Sequence, residues 1–470
     1  LSGDINEKTA LFIEKMEREG QPGVAIDTFL YDYHLLSNGS TGCISEEELI
    51  PVAPDEIDVL TKSKNMNTAG AEALSRTVII KLNGGLGTTM GLSTAKSLIT
   101  VKNDLSFLDI TALQIRNLNK QYKINIPLIL MNSFNTDNDS LKALDKYEDI
   151  KNDVPFSFIQ HKFPKIMASN LKPVSCPQSP YFEWNPPGHG DLYAAIYSSG
   201  ILDKLLERGY KYAFISNIDN LGATLDTSIL GYFSNRELSF LMEVTDRTFM
   251  DRKGGHLARL VKSGKLTLRE VAQCRKEDSE SFADIKRHRY FNTNNLWIRL
   301  DALSKIWKKG RLDLPMIRNT KKLDIRDSGS PDVIQLESAM GSAVSVFENA
   351  DALRVPRERF APVKNCEELL LLWSDYYDLC SDYHVTVNPN RKAAQVNITL
   401  DAQFYSRLDQ LKKRFPHGAP SLAECESLKI TGDVHFGKNI TVTGQALITN
   451  TQSNPVFIPD GSKLTGNISI

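Results

Sequence analysis

Residues 77–91 read Thr77-Val-Ile-Ile-Lys-Leu82 and then Asn83-Gly-Gly-Leu-Gly-Thr-Thr-Met-Gly91, and this stretch decides how the chain folds. A β-branched apolar run that stops at a cluster of glycines predicts a strand buried on both faces, opening into a turn. Glycines at a strand exit let the backbone approach a flat or charged ligand without a Cβ collision, and the freed N–H groups can cradle phosphate oxygens. Lys96 follows close behind. The spacing fails the dinucleotide pattern G-x-G-x-x-G, because Met90 stands where the third glycine is needed, and no acidic ribose ligand follows. It fails the Walker pattern too, with Ala95 before Lys96 and Met90 at the first glycine position. Both failures weigh against a nicotinamide-dependent dehydrogenase and a P-loop NTPase.

Working outward, short apolar strands alternate with amphipathic helices. The strands are IPLILM at 126–131, FSFIQ at 156–160 and YAFIS at 212–216; helical spacing runs through Phe107, Ile110, Leu113 and Leu118, and again from Asp191 to Leu206. This alternation predicts an α/β fold with a doubly wound, mostly parallel sheet, whose ligands bind at the carboxyl ends of the strands. HLARLV, the turn KSGK and LTLREV predict an added hairpin, and FNTNNLWIRL a strand with a polar beginning. Residues 1–75 read as a helical appendage. Beyond residue 385 the period changes to two, with Ile430, Val434, Phe436, Ile440 and Val442 alternating with polar residues and Gly432, Gly437 and Gly444 at corners. That pattern predicts a small β-helix serving a structural or docking purpose.

Length and charge narrow the class. With 470 residues, 41 % hydrophobic and 24 % charged, the chain can bury a large core. Its 56 Lys+Arg against 57 Asp+Glu give a net charge of −1, so no general attraction to nucleic acid or an anionic membrane is expected, and any anion must be met locally. Cys43, Cys176, Cys274, Cys366, Cys380 and Cys425 show neither metal-ligand spacing nor a disulfide framework. The opening LSGDINEKTALFIEKMEREG is charged where a signal peptide is apolar. These features predict a cytoplasmic protein.

Several segments then occur in an order that resembles the eukaryotic UDP-glucose pyrophosphorylase (UTP–glucose-1-phosphate uridylyltransferase) family. They are KLNGGLGTTMG with Lys96, Gln160-His161-Lys162, PPGHGD at 186–191, Ser216-Asn217-Ile218-Asp219-Asn220, FNTNNLW at 291–297, QLESAMGSA from Gln335, and FAPVK ending at Lys364. One departure is Leu92-Ser93-Thr94-Ala95, where many relatives carry Cys, Gly and Pro. The resemblance implies a nucleotidyltransferase catalytic domain at 76–384 and a left-handed β-helix at 385–470. It implies that UTP and glucose 1-phosphate react reversibly to give UDP-glucose and pyrophosphate, with Mg²⁺ as cofactor.

By the same resemblance, Lys96 and Lys364 are the catalytic residues, gripping the UTP phosphates. Leu82, Asn83, Gly84, Gly85, Gln160, Gly188, Asn217, Ile218 and Asp219 bind the nucleotide, Gln160 by pairing its amide with the uracil edge. His189, Glu243, Asn292 and Asn294, with Gly84, Gly85, Asn217 and Asp219, bind the sugar phosphate, and Asp219 is the metal ligand. Partners are small-molecule substrates, with neither nucleic acid nor membrane, and the chain is a monomer or a homo-oligomer built through its tail. Two alternatives compete. A UDP-N-acetylhexosamine pyrophosphorylase should end its loop in Arg-Leu-Gly, unlike Thr89-Met90-Gly91, and a non-catalytic sugar-nucleotide scaffold should lack a phosphate-gripping lysine.

Overall fold

A computed structural model describes residues 2–324, 326–393 and 395–470. The strand Thr77–Asn83 lies inside the main sheet, between Tyr212–Asn217 and Leu128–Asn132, parallel to both. Its alternation sorts the side chains. Val78 and Ile80 join Ile129, Met131, Ala213 and Ile215 in the core on one face, and Ile79 joins Leu128, Leu130 and Phe214 in the core on the other. Burial on both faces is what makes the run continuously apolar. The sheet continues through Ser157–Ile159 on one side, and through Tyr290–Arg299, Phe240–Asp246, Ala350–Arg354 and Asp58–Val59 on the other.

Along this path Tyr290–Arg299 alone runs antiparallel to its neighbours. Its reversed direction explains the polar beginning of FNTNNLWIRL. The start of this strand lies beside the carboxyl ends of the parallel strands, with Asn292 opposite Val244, while Trp297 and Ile298 sit in the cores. The sheet edge therefore gathers Asn83, Asn132, Asn217 and the Asn292 region. The helix Phe107–Tyr122 begins on a capping box, Ser106 accepting from the Asp109 N–H and the Asp109 carboxylate accepting from the Ser106 N–H, so two orphan donors of its first turn are satisfied.

Residues 2–75 are helical at first, and Phe12, Phe29 and Tyr33 pack with Phe163 and Ile166. This segment also enters the sheet system: Leu49–Pro51 pairs with His256–Leu260, and Asp58–Val59 with Ala350–Arg354. The helix Lys64–Ala73 crosses Thr227–Asn235 so closely that a Cβ on Gly70 would lie 1.8 Å from the Thr227 carbonyl oxygen. The hairpin His256–Leu260 with Leu266–Arg269 forms as expected.

In the C-terminal region Asn397–Leu400, Cys425–Thr431, Thr441–Thr449 and Lys463–Ser469 stack in parallel, and Val434–Phe436 pairs in parallel with Val456–Ile458. Equivalent positions lie over one another, Ile430 beside Ile448 and Ile448 beside Ile468. Gly432, Gly444 and Gly466 turn corners at positive φ, whereas Gly437 does not; there a Cβ would meet the Asp460 carboxylate at 2.3 Å. A hairpin of Tyr377–Leu379 and Val385–Val387 lies across residues 384 and 385. All six cysteines are free thiols. Among the described residues, no helix is long and apolar enough to cross a membrane.

Candidate functional site

Two left-handed glycines shape the turn after Thr77–Asn83: Gly87 at φ +62° and Gly91 at φ +73°. The Lys96 N–H donates to the Gly85 carbonyl at 3.1 Å, folding the segment back on itself and bringing the lysine over the sheet edge. Its ammonium is ion-paired with Asp219. Gly84 lies directly under Gln160, where an added Cβ would be 2.9 Å from the amide oxygen. The Gln160 N–H donates to the Asn132 carbonyl at 2.8 Å, so a neighbouring strand fixes this approach.

Leu82 accepts from the Ile218 N–H at 3.1 Å, joining the glycine turn to the turn that carries Asp219. Asn83 and Ile218 are buried. The Asn83 amide donates to Asn132 and Ser140, both at 2.7 Å, and Ile218 packs in the apolar core, so both side chains are turned inward.

The turn after Tyr212–Asn217 is held from below and from the side. Lys81 is buried beneath it and donates to Ser216 Oγ at 2.7 Å and to the Ala223 carbonyl at 2.8 Å, pinning both ends; burial pulls its ammonium down to about 7. From the side, the Val363 N–H donates to the Asp219 carbonyl at 3.2 Å. That bond sets Lys364, from a segment far away in sequence, next to the turn. Thr89 Oγ1 donates to the Lys364 carbonyl at 3.4 Å, so the glycine turn touches the same segment.

These pieces border a cavity of about 360 Å³ whose wall includes Gly188, His189, Asn217, Asp219, Asn292, Asn294 and Lys364. Gly188 sits at φ +80°, and an added Cβ would be 2.4 Å from the Ser338 carbonyl oxygen. His189 Nδ1 accepts from the Met340 N–H at 2.8 Å, which leaves the ring proton on Nε2. Burial pushes this imidazole down to about 4, so it is neutral at pH 7. His161 ties the segment of Gln160 to that of Gly188 and His189: its N–H donates to Asp191 at 2.6 Å and its ring reaches the same carboxylate at 2.7 Å.

Leu82, Asn83, Gly84, Gly85, Gln160 and Ile218 are outside this wall; they form the adjoining turn and its support, joined to the cavity through the Lys96–Asp219 pair. Asn294 takes a left-handed φ of +57° in a bulge, where Thr293 to Asn295 stand against Glu243 alone. Asn292 donates to Asn294 Oδ1 at 2.8 Å. The expectation for Glu243 is corrected. The residue is fully buried, and its oxygens accept from Trp297 Nε1, Asn295 Nδ2 and two nitrogens of Arg359. All four acceptor positions of the carboxylate are taken, leaving none for a sugar hydroxyl.

Glu270 instead lines the cavity. Burial raises its carboxyl group and the charge of Lys364 opposes the shift. It directly follows the second strand of the added hairpin, in LTLREV, and an acidic residue just past an apolar strand was the available signal. Among the described residues no cluster of three or more His, Cys, Asp or Glu could hold a metal ion.

The profile described as UTP–glucose-1-phosphate uridylyltransferase matches residues 26–443. The chain belongs to the UTP–glucose-1-phosphate uridylyltransferase family. A family member from Encephalitozoon cuniculi is 43 % identical over 398 residues, 84 % of this chain and 78 % of the relative. One from Saccharomyces cerevisiae is 38 % identical over 453 residues, 95 % and 89 % of the two chains. Among solved structures, UDP-glucose phosphorylase from Trypanosoma brucei matches at a TM-score of 0.89 and 43 % identity, covering 99 % of this chain and 100 % of that one. The S374W mutant of the Leishmania major UDP-glucose pyrophosphorylase in complex with UDP-glucose matches at 0.90 and 41 %, covering 98 % and 99 %. Membership agrees with a site built at the carboxyl edge of a mostly parallel sheet.

Proposed function

We infer that this chain transfers the uridylyl group of UTP to glucose 1-phosphate, forming UDP-glucose and pyrophosphate, in a step that runs both ways. The observation that carries this reading, within the family, is the convergence of Lys96, Asp219 and Lys364 beside one polar cavity. In the forward direction a phosphate oxygen of the sugar phosphate attacks the α-phosphorus of UTP, and the bond to the pyrophosphate oxygen breaks. The nucleophile is already an anion, so no proton has to be removed. The protein must align the attacking and leaving oxygens and offset the repulsion between two phosphate groups.

Lys96 meets the triphosphate from the glycine turn, and Lys364 meets the α-phosphate from the opposite wall. The neutral His189 offers its Nε2–H to the sugar phosphate. Gln160, over Gly84, matches both a donor and an acceptor on the uracil edge. Asn292, Asn294 and Glu270 supply partners for hexose hydroxyls. Asp219 is the residue that would hold Mg²⁺, since one carboxylate beside phosphates fits a cation that keeps several waters and binds few protein ligands. When bound, that ion would supply neutralisation of phosphate charge.

We divide the chain at 1–75, 76–384 and 385–470, read the last part as a left-handed β-helix available for self-association, and place the free-thiol protein in the cytoplasm. The deciding experiment gives the purified protein Mg²⁺ and UTP with glucose 1-phosphate, galactose 1-phosphate or N-acetylglucosamine 1-phosphate and follows pyrophosphate release. Fast release is expected with glucose 1-phosphate. A preference for the N-acetylated sugar would move the chain to the related pyrophosphorylases, and no release with any sugar would leave a scaffold.

A further inference from the structure

We propose that Arg359 is a positioning residue that holds the turn carrying Asp219, the bulge carrying Asn292 and Asn294, and the segment carrying Lys364 at fixed separations. The proposal rests on the functional reading above. Its basis is a buried network under the cavity wall. The Arg359 guanidinium grips Glu243 with two bonds, Nε to Oε2 at 2.6 Å and a terminal nitrogen to Oε1 at 2.7 Å, and donates to the Thr224 carbonyl at 2.9 Å. Its carbonyl oxygen accepts from Asn220 Nδ2 at 3.0 Å and from Asn295 Nδ2 at 3.1 Å. Asn220 Oδ1 in turn accepts from the Ala361 N–H at 3.0 Å, just ahead of Lys364.

Arg359 thus bonds the turn at Asn220 and the bulge at Asn295, each next to a residue of the cavity wall, and Asn220 ties the turn to the segment that leads from Arg359 itself to Lys364. Glu243 completes the frame, because its own carbonyl accepts from Thr293 Oγ1 at 2.6 Å inside the bulge. A planar fork matches a carboxylate in one orientation, which a point-charge ammonium cannot reproduce. Among the described residues neither the glycine turn nor Gln160 bonds Arg359, Glu243, Asn220 or Asn295; the glycine turn meets only the held segments, at Ile218, Asp219 and Lys364. Loosening the network should therefore disturb the sugar-phosphate side and leave uridine recognition alone.

The test is Arg359→Lys, which keeps the charge and loses the fork, together with Asn220→Ala, which cuts a strut without touching the ion pair. Misplacing reacting groups by about 1 Å can cost on the order of 100-fold in rate, so kcat per folded molecule should fall roughly 10- to 100-fold in both variants. The KM for glucose 1-phosphate should rise, while the KM for UTP stays within about twofold of wild type. Amide hydrogen exchange in the ligand-free protein should speed up at 217–220, 292–295 and 360–364 together, and not at 82–85 or 157–160. Wild-type kcat and KM per folded molecule, or exchange that rises around residue 359 alone, overturns the proposal. Should Arg359→Lys fail to fold, Asn220→Ala decides by the same readings. A wild-type protein that releases no pyrophosphate defeats the functional reading, and the exchange experiment still decides whether the three segments move as one.

Discussion

The two sides of the site are built by opposite means. On the side assigned to uridine in the proposed reading the surface is bare backbone: Gly84 lies beneath Gln160, and Gly188 is pressed against the Ser338 carbonyl at a φ of +80°. On the side assigned to the sugar phosphate in the proposed reading the surface is side chains, Asn292, Asn294 and Glu270, the first two carried on a bulge held by a buried ion pair and its amide strut. A backbone wall is written locally, because glycine is the residue that permits it. A side-chain wall depends on residues that never touch the ligand, so its local sequence shows the contact residues and not what fixes them.

The comparison can be broken at several points. The largest effect is expected at Lys364, whose positive charge faces the reacting phosphorus in the proposed reading. Lys364→Ala should lower kcat by roughly 10²- to 10³-fold, the scale of losing one charge-stabilising donor, with a smaller change in the KM for UTP. Steady-state kinetics at saturating substrates check this, and wild-type turnover would remove Lys364 from the mechanism.

Next comes the backbone wall. Gly188→Ala combines a left-handed φ with a clash against backbone, and should cost about 2–3 kcal/mol of stability in urea unfolding. An unchanged unfolding midpoint would show that Gly188 is not under the constraint described.

Gln160→Ala sharpens the comparison without threatening the fold. Loss of the amide should reduce discrimination between UTP and CTP by about tenfold, the worth of roughly one hydrogen bond to the base, measured as the ratio of kcat/KM. Equal discrimination by both proteins would place base selection elsewhere.

The smallest effect is a pH dependence at His189. Its imidazole takes a proton near 4 in the folded protein against 6.5 ordinarily, so between these values the unfolded chain binds more protons. The contribution to stability is complete above about pH 6.5 and is lost as the pH falls toward 4. In His189→Asn the fall in the urea midpoint from pH 7 to pH 5 should be shallower than in wild type, and parallel curves would contradict the assignment.

The legibility of the sequence follows the same division. The run TVIIKL followed by glycines shows the buried strand and its turn because both depend on neighbours in the chain. The polar start of FNTNNLWIRL shows a strand end near the site, but not that the strand runs antiparallel, since direction is set by the strands beside it. Glu243 and Glu270 look alike in sequence, each an acidic residue in or just past an apolar strand. Only the arrival of Arg359 from more than a hundred residues away decides that one is a strut and the other faces the cavity. The entry of Leu49–Pro51 and Asp58–Val59 into the sheet system was hidden for a different reason: two- and three-residue strands carry too little periodicity to register.

The pairing of Lys96 with Asp219 has one more consequence. A lone ammonium over a sheet edge would be an indiscriminate trap for any passing polyanion. Here the cation carries its own counter-ion, and in the proposed reading a triphosphate displaces it, so binding is an exchange of partners rather than the quenching of a naked charge.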